Sequence, residues 1–167
     1  YNVDRDILFS DLVDDKKQFA WYRSKTGDNR LDYTPYLPVY LYQYVDPEGK
    51  PFTASPVANK PIAVLTNSAS LSNSEVTTLL LKTFSKGVSI GGTTSGGFGC
   101  LNGTIDVSNS GEFRIDNYLT VYTPNQQIVS LDKTSYEGIG ITLDYPVEFK
   151  LDEFNSGTDE RLKDAFK

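Results

Sequence analysis

Ile62-Ala63-Val64-Leu65-Thr66-Asn67-Ser68-Ala69-Ser70-Leu71-Ser72-Asn73-Ser74-Glu75-Val76 is the stretch on which the fold turns. It opens with four apolar residues in a row, as in a short strand covered on both faces of a sheet. Ile62 to Thr66 is therefore expected to be a buried central strand, ended by Thr66 and Asn67. Beyond the serines, Val76, Leu79, Leu80 and Phe84 recur at helical spacing, and Ser72 with Glu75 stands ahead of them as a capping box. A helix is expected from about Asn73 to Ser85, packed on the same sheet through Val76, Leu80 and Phe84. Gly87 stops it, Val88 and Ile90 begin another strand, and Gly91-Gly92 and Gly96-Gly97-Phe98-Gly99 make a loop of little side-chain bulk. Strand, helix, strand in that order usually places two parallel strands side by side through a right-handed crossover. An α/β core follows, and a β-sandwich does not.

Outside this unit the sequence reads as short strands between turns. In the first sixty residues, rich in Tyr and Pro, turn chemistry at Thr26-Gly27-Asp28-Asn29 and Asp46-Pro47-Glu48-Gly49 bounds extended runs. Between these turns Val39, Leu41 and Val45 alternate with Tyr40, Tyr42 and Tyr44, a period of two that needs only amphipathic strand packing. Downstream, Thr104 to Val107, Phe113 to Ile115 and Leu119 to Thr123 read as strands, with a turn at Ser108-Asn109-Ser110-Gly111. From Asp159 the tail puts Leu162, Ala165 and Phe166 on one helical face. No repeat or linker divides the chain. Residues 1–167 are read as one domain, with a strand-rich Tyr/Pro segment over 1–59 and the chemistry-bearing core over 60–167.

Composition narrows the chemistry. With 167 residues, 38% hydrophobic and 23% charged, the chain has the balance of a globular domain with one core. A net charge of -6 and the lack of any long basic run give no footprint for a nucleic acid. No stretch is apolar for long enough to span a bilayer as a helix. The single cysteine, Cys100, makes neither an internal disulfide nor a Cys-rich metal site, and there is no histidine. These residues alone therefore cannot build a Ser-His-Asp triad, a Cys-His dyad or an ordinary zinc site.

Three blocks in order, Val64 to Val76, Ile90-Gly91-Gly92-Thr93-Thr94-Ser95-Gly96-Gly97, and Tyr136-Glu137-Gly138-Ile139-Gly140-Ile141-Thr142-Leu143-Asp144-Tyr145-Pro146-Val147, resemble the C-terminal-processing (tail-specific, S41-type) serine peptidases. The third is similar to that family's Glu-Gly-x-Gly-Ile-x-Pro-Asp signature, with Leu143 in the proline position. The resemblance covers about Lys60 to Lys167. It implies an α/β core of strand-strand-helix units, similar to the crotonase and Clp protease superfamily, with a β-rich extension and a closing C-terminal helix. It also implies a peptide or protein substrate, no cofactor and no metal. By position the nucleophile would be Ser72, with Ser70 and Ser74 as residual candidates. The Asn73 amide would be an oxyanion donor, Gly96 and Gly97 would line the substrate site, and Glu137 would help position the base.

The chain departs from the bacterial processing enzymes where they carry a general-base lysine, because that position is Gly97. Lys82 lies ten residues past Ser72, about 15 Å further along a helix rising roughly 1.5 Å per residue, and cannot deprotonate it. Ser95-Gly96-Gly97 fits better the branch resembling the tricorn core, whose base is a histidine from well upstream. The family's upstream Asp-Leu-Arg-x-Asn-x-Gly-Gly block, source of half the oxyanion hole, does not occur here either. With no Met at the start or elsewhere, the expectation is a C-terminal part of a catalytic domain, inactive by itself. Its base would come from before Tyr1. Two other readings stand beside this one: a pseudo-peptidase gripping peptides along strand edges, and a cell-surface binding domain suggested by the tyrosines. For Ser72 the plain alternative is a helix cap with its hydroxyl occupied by Glu75. The family implies the bacterial cell envelope, periplasmic or surface-exposed, and is compatible with a homo-oligomer.

Overall fold

The structure, a computed structural model, describes residues 9–13, 15–27, 29–51, 60–84, 87–98 and 112–166. Strands β1 (Lys16–Ser24), β2 (Leu37–Tyr42), β3 (Ala63–Thr66) and β4 (Val88–Gly91) follow in order, with helix α1 (Asn73–Phe84) between β3 and β4. Then come β5 (Glu112–Ile115), β6 (Leu119–Tyr122), β7 (Gln126–Ser130), β8 (Tyr145–Pro146) and the short helices α2 (Leu151–Asn155) and α3 (Glu160–Ala165). The expected strand at Thr104–Val107, the turn at Ser108–Gly111, Cys100 and the helix end at Ser85 lie outside the described residues. No helix among the described residues is long and apolar enough to cross a membrane.

Two sheets carry the architecture. One is antiparallel in the order β2-β1-β7, and the other is parallel in the order β3-β4-β8. The strand-helix-strand unit thus forms adjacent parallel strands, as its sequence order requires. Helix α1 touches both β1 and β4, which explains its burial. Leu79, Leu80 and Leu81 are all buried. Successive residues on a helix lie about 100° apart, so three in a row cannot share one stripe, and the helix must be covered on two sides. Phe84 meets Phe19 of β1 edge to face at 6.4 Å between centroids. Val76 and Phe84 join the core as partly buried members around Phe9, Val13, Phe19, Leu41, Leu80, Phe98, Ile128 and Ile141. Val39 and Leu41 of β2 also turn to this core, and Tyr42 to solvent.

Two expectations need correction. Among the described residues β3 has only β4 beside it and stands at the edge of its sheet, not at its centre. Val64 packs on the core and Thr66 is buried, but Leu65, on the opposite face, is 42% exposed. An apolar run does not tell a strand covered on both faces from one covered on a single face. The tail helix expected from Asp159 forms as α3, preceded by the short α2, but its packing differs from the expectation. α3 lies against β3 and β4, but the face expected to be apolar leaves Leu162 and Phe166 exposed.

Candidate active site

The site is built where β3 ends. The Thr66 hydroxyl donates to the Gly92 carbonyl at 2.9 Å, and the Gly92 N–H donates to the Thr66 carbonyl at 2.9 Å, so β3 and β4 leave the sheet clamped together. Asn67 then makes a tight turn. Its side-chain oxygen accepts from the Ala69 N–H at 2.8 Å, and its own N–H donates to the Ser70 hydroxyl oxygen at 3.1 Å. This commits the Ser70 side chain to the turn. The Ser70 carbonyl in turn accepts from the Ser95 N–H at 2.9 Å, joining the first two sequence blocks.

Ser72 comes next, exposed and with φ at 56°. A left-handed conformation is uncommon for a residue with a Cβ and concentrates at strained functional positions. Its geometry also departs from a capping box. The Glu75 N–H bonds the backbone carbonyl of Ser72 at 2.9 Å, and the Ser72 hydroxyl has no hydrogen-bond partner among the described residues. Only the reverse half of the box forms, the Ser72 N–H donating to Glu75 Oε2 at 3.0 Å. The hydroxyl that a cap would use is left unengaged on an exposed residue at the start of a twelve-residue helix. The Asn73 N–H has no partner among the described residues either. An unpaired first-turn amide beside an unpaired hydroxyl is what an acyl-transfer site needs for its oxyanion and its nucleophile.

Glu75 holds this together, a role its sequence position did not reveal. It is fully buried. While Oε2 takes the Ser72 N–H, Oε1 takes the Gly96 N–H at 2.8 Å. One carboxylate therefore fixes the Ser72 turn to the glycine loop after β4. The Gly96 carbonyl accepts from the Gly138 N–H at 2.6 Å, and the Ile141 N–H donates to the Thr94 hydroxyl at 2.7 Å. All three sequence blocks thus converge. Gly96 must be glycine: its φ is 81°, and a Cβ there would lie 2.8 Å from the Ile139 nitrogen.

The Gly96 N–H is engaged by Glu75 and is not an open donor here. Gly97 sits against Leu71, whose Cδ1 occupies the place a Cβ at 97 would take. A lysine at this position would have to displace Leu71. Glu137 is exposed on the turn whose next amide bonds Gly96, so it lies one residue from the connected network. Lys82 is held elsewhere. Its ammonium donates to Ser89 Oγ at 3.1 Å, to the Thr142 carbonyl at 2.8 Å and to Asp144 Oδ1 at 3.1 Å. Burial acts to raise the Asp144 carboxyl, but bonds from the Ser89 N–H and hydroxyl and from Lys82 outweigh it and hold it below the usual carboxylate range. This Ser-Lys contact is a charge-locked brace and not a catalytic dyad. The described residues contain no group of three or more His, Cys, Asp or Glu that could hold a metal.

The profile of Peptidase family S41 matches residues 2–147, and the chain belongs to this family. The match takes in the tyrosine-rich segment, which the sequence blocks alone did not assign. Among solved structures, a protein from Parabacteroides merdae described as a peptidase is similar at 19% identity and a TM-score of 0.75, over 99% of this chain and 47% of its own. Mature CPAF complexed with lactacystin is similar at 12% identity and a TM-score of 0.69, over 97% and 40%. The tricorn protease follows at 20% identity and 0.53, over 96% and 13%. The chain therefore spans less than half the length of these structures, and the likeness carries the fold. No curated protein matches the sequence.

Proposed function

We propose that this chain is the nucleophile-bearing part of a serine endopeptidase of the C-terminal-processing type. Ser72 attacks the scissile carbonyl, and the Asn73 N–H receives the developing oxyanion. The observation that carries the reading is the Ser72 turn: a left-handed serine with an unengaged hydroxyl, beside an unengaged helix-terminal amide. Proton transfer from Ser72 to a base gives the alkoxide that adds to the carbonyl. Collapse of the tetrahedral adduct expels the amine, leaving an acyl-enzyme that water then hydrolyses. The base and a second oxyanion donor are assigned to polypeptide outside residues 1–167, because this chain has no histidine and Lys82 is braced on Asp144. Glu137 would act through that base as a positioning residue. The bacterial cell envelope is the location proposed, on the family's habit.

The test is to treat the complete protein with a serine-directed fluorophosphonate and map the adduct. Modification at Ser72, lost in Ser72→Ala, is expected, while residues 1–167 alone should turn over no peptide. An adduct confined to Ser74 would move the nucleophile. A folded complete protein that is never labelled would favour the peptide-binding reading.

A further inference from the structure

Near the end of β1, three cationic side chains lie over two tyrosine rings. Lys25 Nζ lies 4.5 Å from the centroid of the Tyr33 ring, and the Arg23 guanidinium lies 4.2 Å from the same ring. Arg23 is also 5.0 Å from the centroid of the Tyr36 ring, and Lys133 Nζ is 5.3 Å from that ring. The order is Lys25, Tyr33, Arg23, Tyr36, Lys133. The cations come from β1, from the residue just after it and from the turn after β7, and β1 and β7 pair directly in the sheet. The Lys133 backbone is left-handed, at φ 67°. The turn is held by the Ser130 hydroxyl and by Asp132, whose carboxylate oxygen accepts from the Thr134 N–H at 3.1 Å. That carboxylate is therefore turned into its own loop.

Three positive charges within one stack repel one another, and the tyrosine faces offset only part of this. A chain with a net charge of -6 has carboxylates to spare. Yet none of the three cations is ion-paired among the described residues. Lys25 is occupied by the carbonyls of Asn29 and Arg30 at 2.6 and 3.0 Å. Arg23 uses only Nε, bonded to Gln127 Oε1 at 2.8 Å. The two terminal guanidinium nitrogens and the Lys133 ammonium have no hydrogen-bond partner among the described residues. Arg23 lies between two rings with its terminal nitrogens unengaged among the described residues, and a guanidinium suits two-pronged pairing with a planar carboxylate.

We propose that Arg23 and Lys133, stacked on Tyr33 and Tyr36, form an anion-binding exosite for Asp or Glu side chains of a polypeptide. The proposal takes from the peptidase reading only that the ligand is a polypeptide, and it is tested by binding without turnover. Because the rest of the chain is acidic overall, an acidic peptide is repelled elsewhere and localised here.

The probe is a fluorescent deca-glutamate peptide with an amidated C-terminus, followed by anisotropy on the complete protein. Binding that weakens as salt rises from about 50 to about 500 mM is expected. A loss of about tenfold or more is expected for Lys133→Glu and for Arg23→Gln, at unchanged melting temperature. Lys133 is exposed, so its variant serves even where Arg23→Gln disturbs the sheet. Lys50→Gln, on a distant turn, should leave binding intact. No binding by the native protein, equal binding by Lys133→Glu, or equal competition by a neutral peptide with a free C-terminus would each overturn the proposal. Failure here leaves the Ser72 labelling result untouched.

Discussion

Ser72 and Ser89 stand at opposite ends of the same helix-strand unit, and each has a carboxylate close by in space. Ser89 is fully buried. Its hydroxyl donates to Asp144 Oδ2 at 2.8 Å and accepts from Lys82, so both of its hydrogen-bonding functions are engaged. Ser72 is exposed, and its neighbour Glu75 bonds the backbone amides of the turn instead of the hydroxyl. A lysine next to a serine, which on paper suggests a catalytic dyad, here marks the inert member of the pair. What distinguishes the reactive candidate is a carboxylate that rigidifies the main chain and leaves the side chain unspent.

The largest effect expected from breaking this contrast is on activity. Ser72→Ala in the complete protein should lower peptide turnover by about 10⁴-fold or more, while Ser89→Ala should retain it. Kinetics at saturating substrate checks both, and a Ser72→Ala enzyme of ordinary rate would transfer the nucleophile elsewhere.

Glu75→Gln comes next. The amide nitrogen must face a backbone N–H where a carboxylate oxygen accepted one, leaving a buried donor unsatisfied, so a loss of about 1–3 kcal/mol is expected in urea unfolding. Labelling of Ser72 should slow in the same variant even where it remains folded, because the turn and the Gly96 loop are no longer tied. Unchanged stability and labelling would remove Glu75 from the site.

The Ser89 side of the comparison is sharpened by pH. Asp144 has a folded pKa below its unfolded value, so its contribution is fully present above the unfolded carboxylate pKa of about 3.9 and is lost as pH falls through the folded value. Asp144→Asn should therefore destabilise by about 1 kcal/mol near neutrality, kept small because its side chain is 39% exposed. The difference from the native protein should shrink on acidification. A difference that grows below pH 4 would reverse the assigned sign.

The smallest effect expected is a gain. Ser72→Gly removes the Cβ from a left-handed residue and should stabilise the folded chain by up to about 1 kcal/mol while abolishing labelling. A destabilised Gly variant would mean that the turn is not strained.

By itself the sequence determined the strand-helix-strand unit and its parallel pairing, because apolar runs, helical spacing and glycine stops are local signals. It also placed Ser72 at a helix start and marked the three blocks that meet there. Only the tertiary structure decided that β1 pairs with β7, since strand pairing across a long stretch of chain leaves no periodicity of its own. The same is true of the exposed edge of β3, because an apolar run records hydrophobicity and not how many neighbours cover it. Glu75 shows the limit most clearly. As a residue three places after a serine it reads as a cap, and its burial and its bond to Gly96 exist only once the β4 loop folds back over it. Backbone amides bond by position and carry no side-chain identity. The Gly96 N–H could therefore be read neither as spent nor as free until its partner was in place.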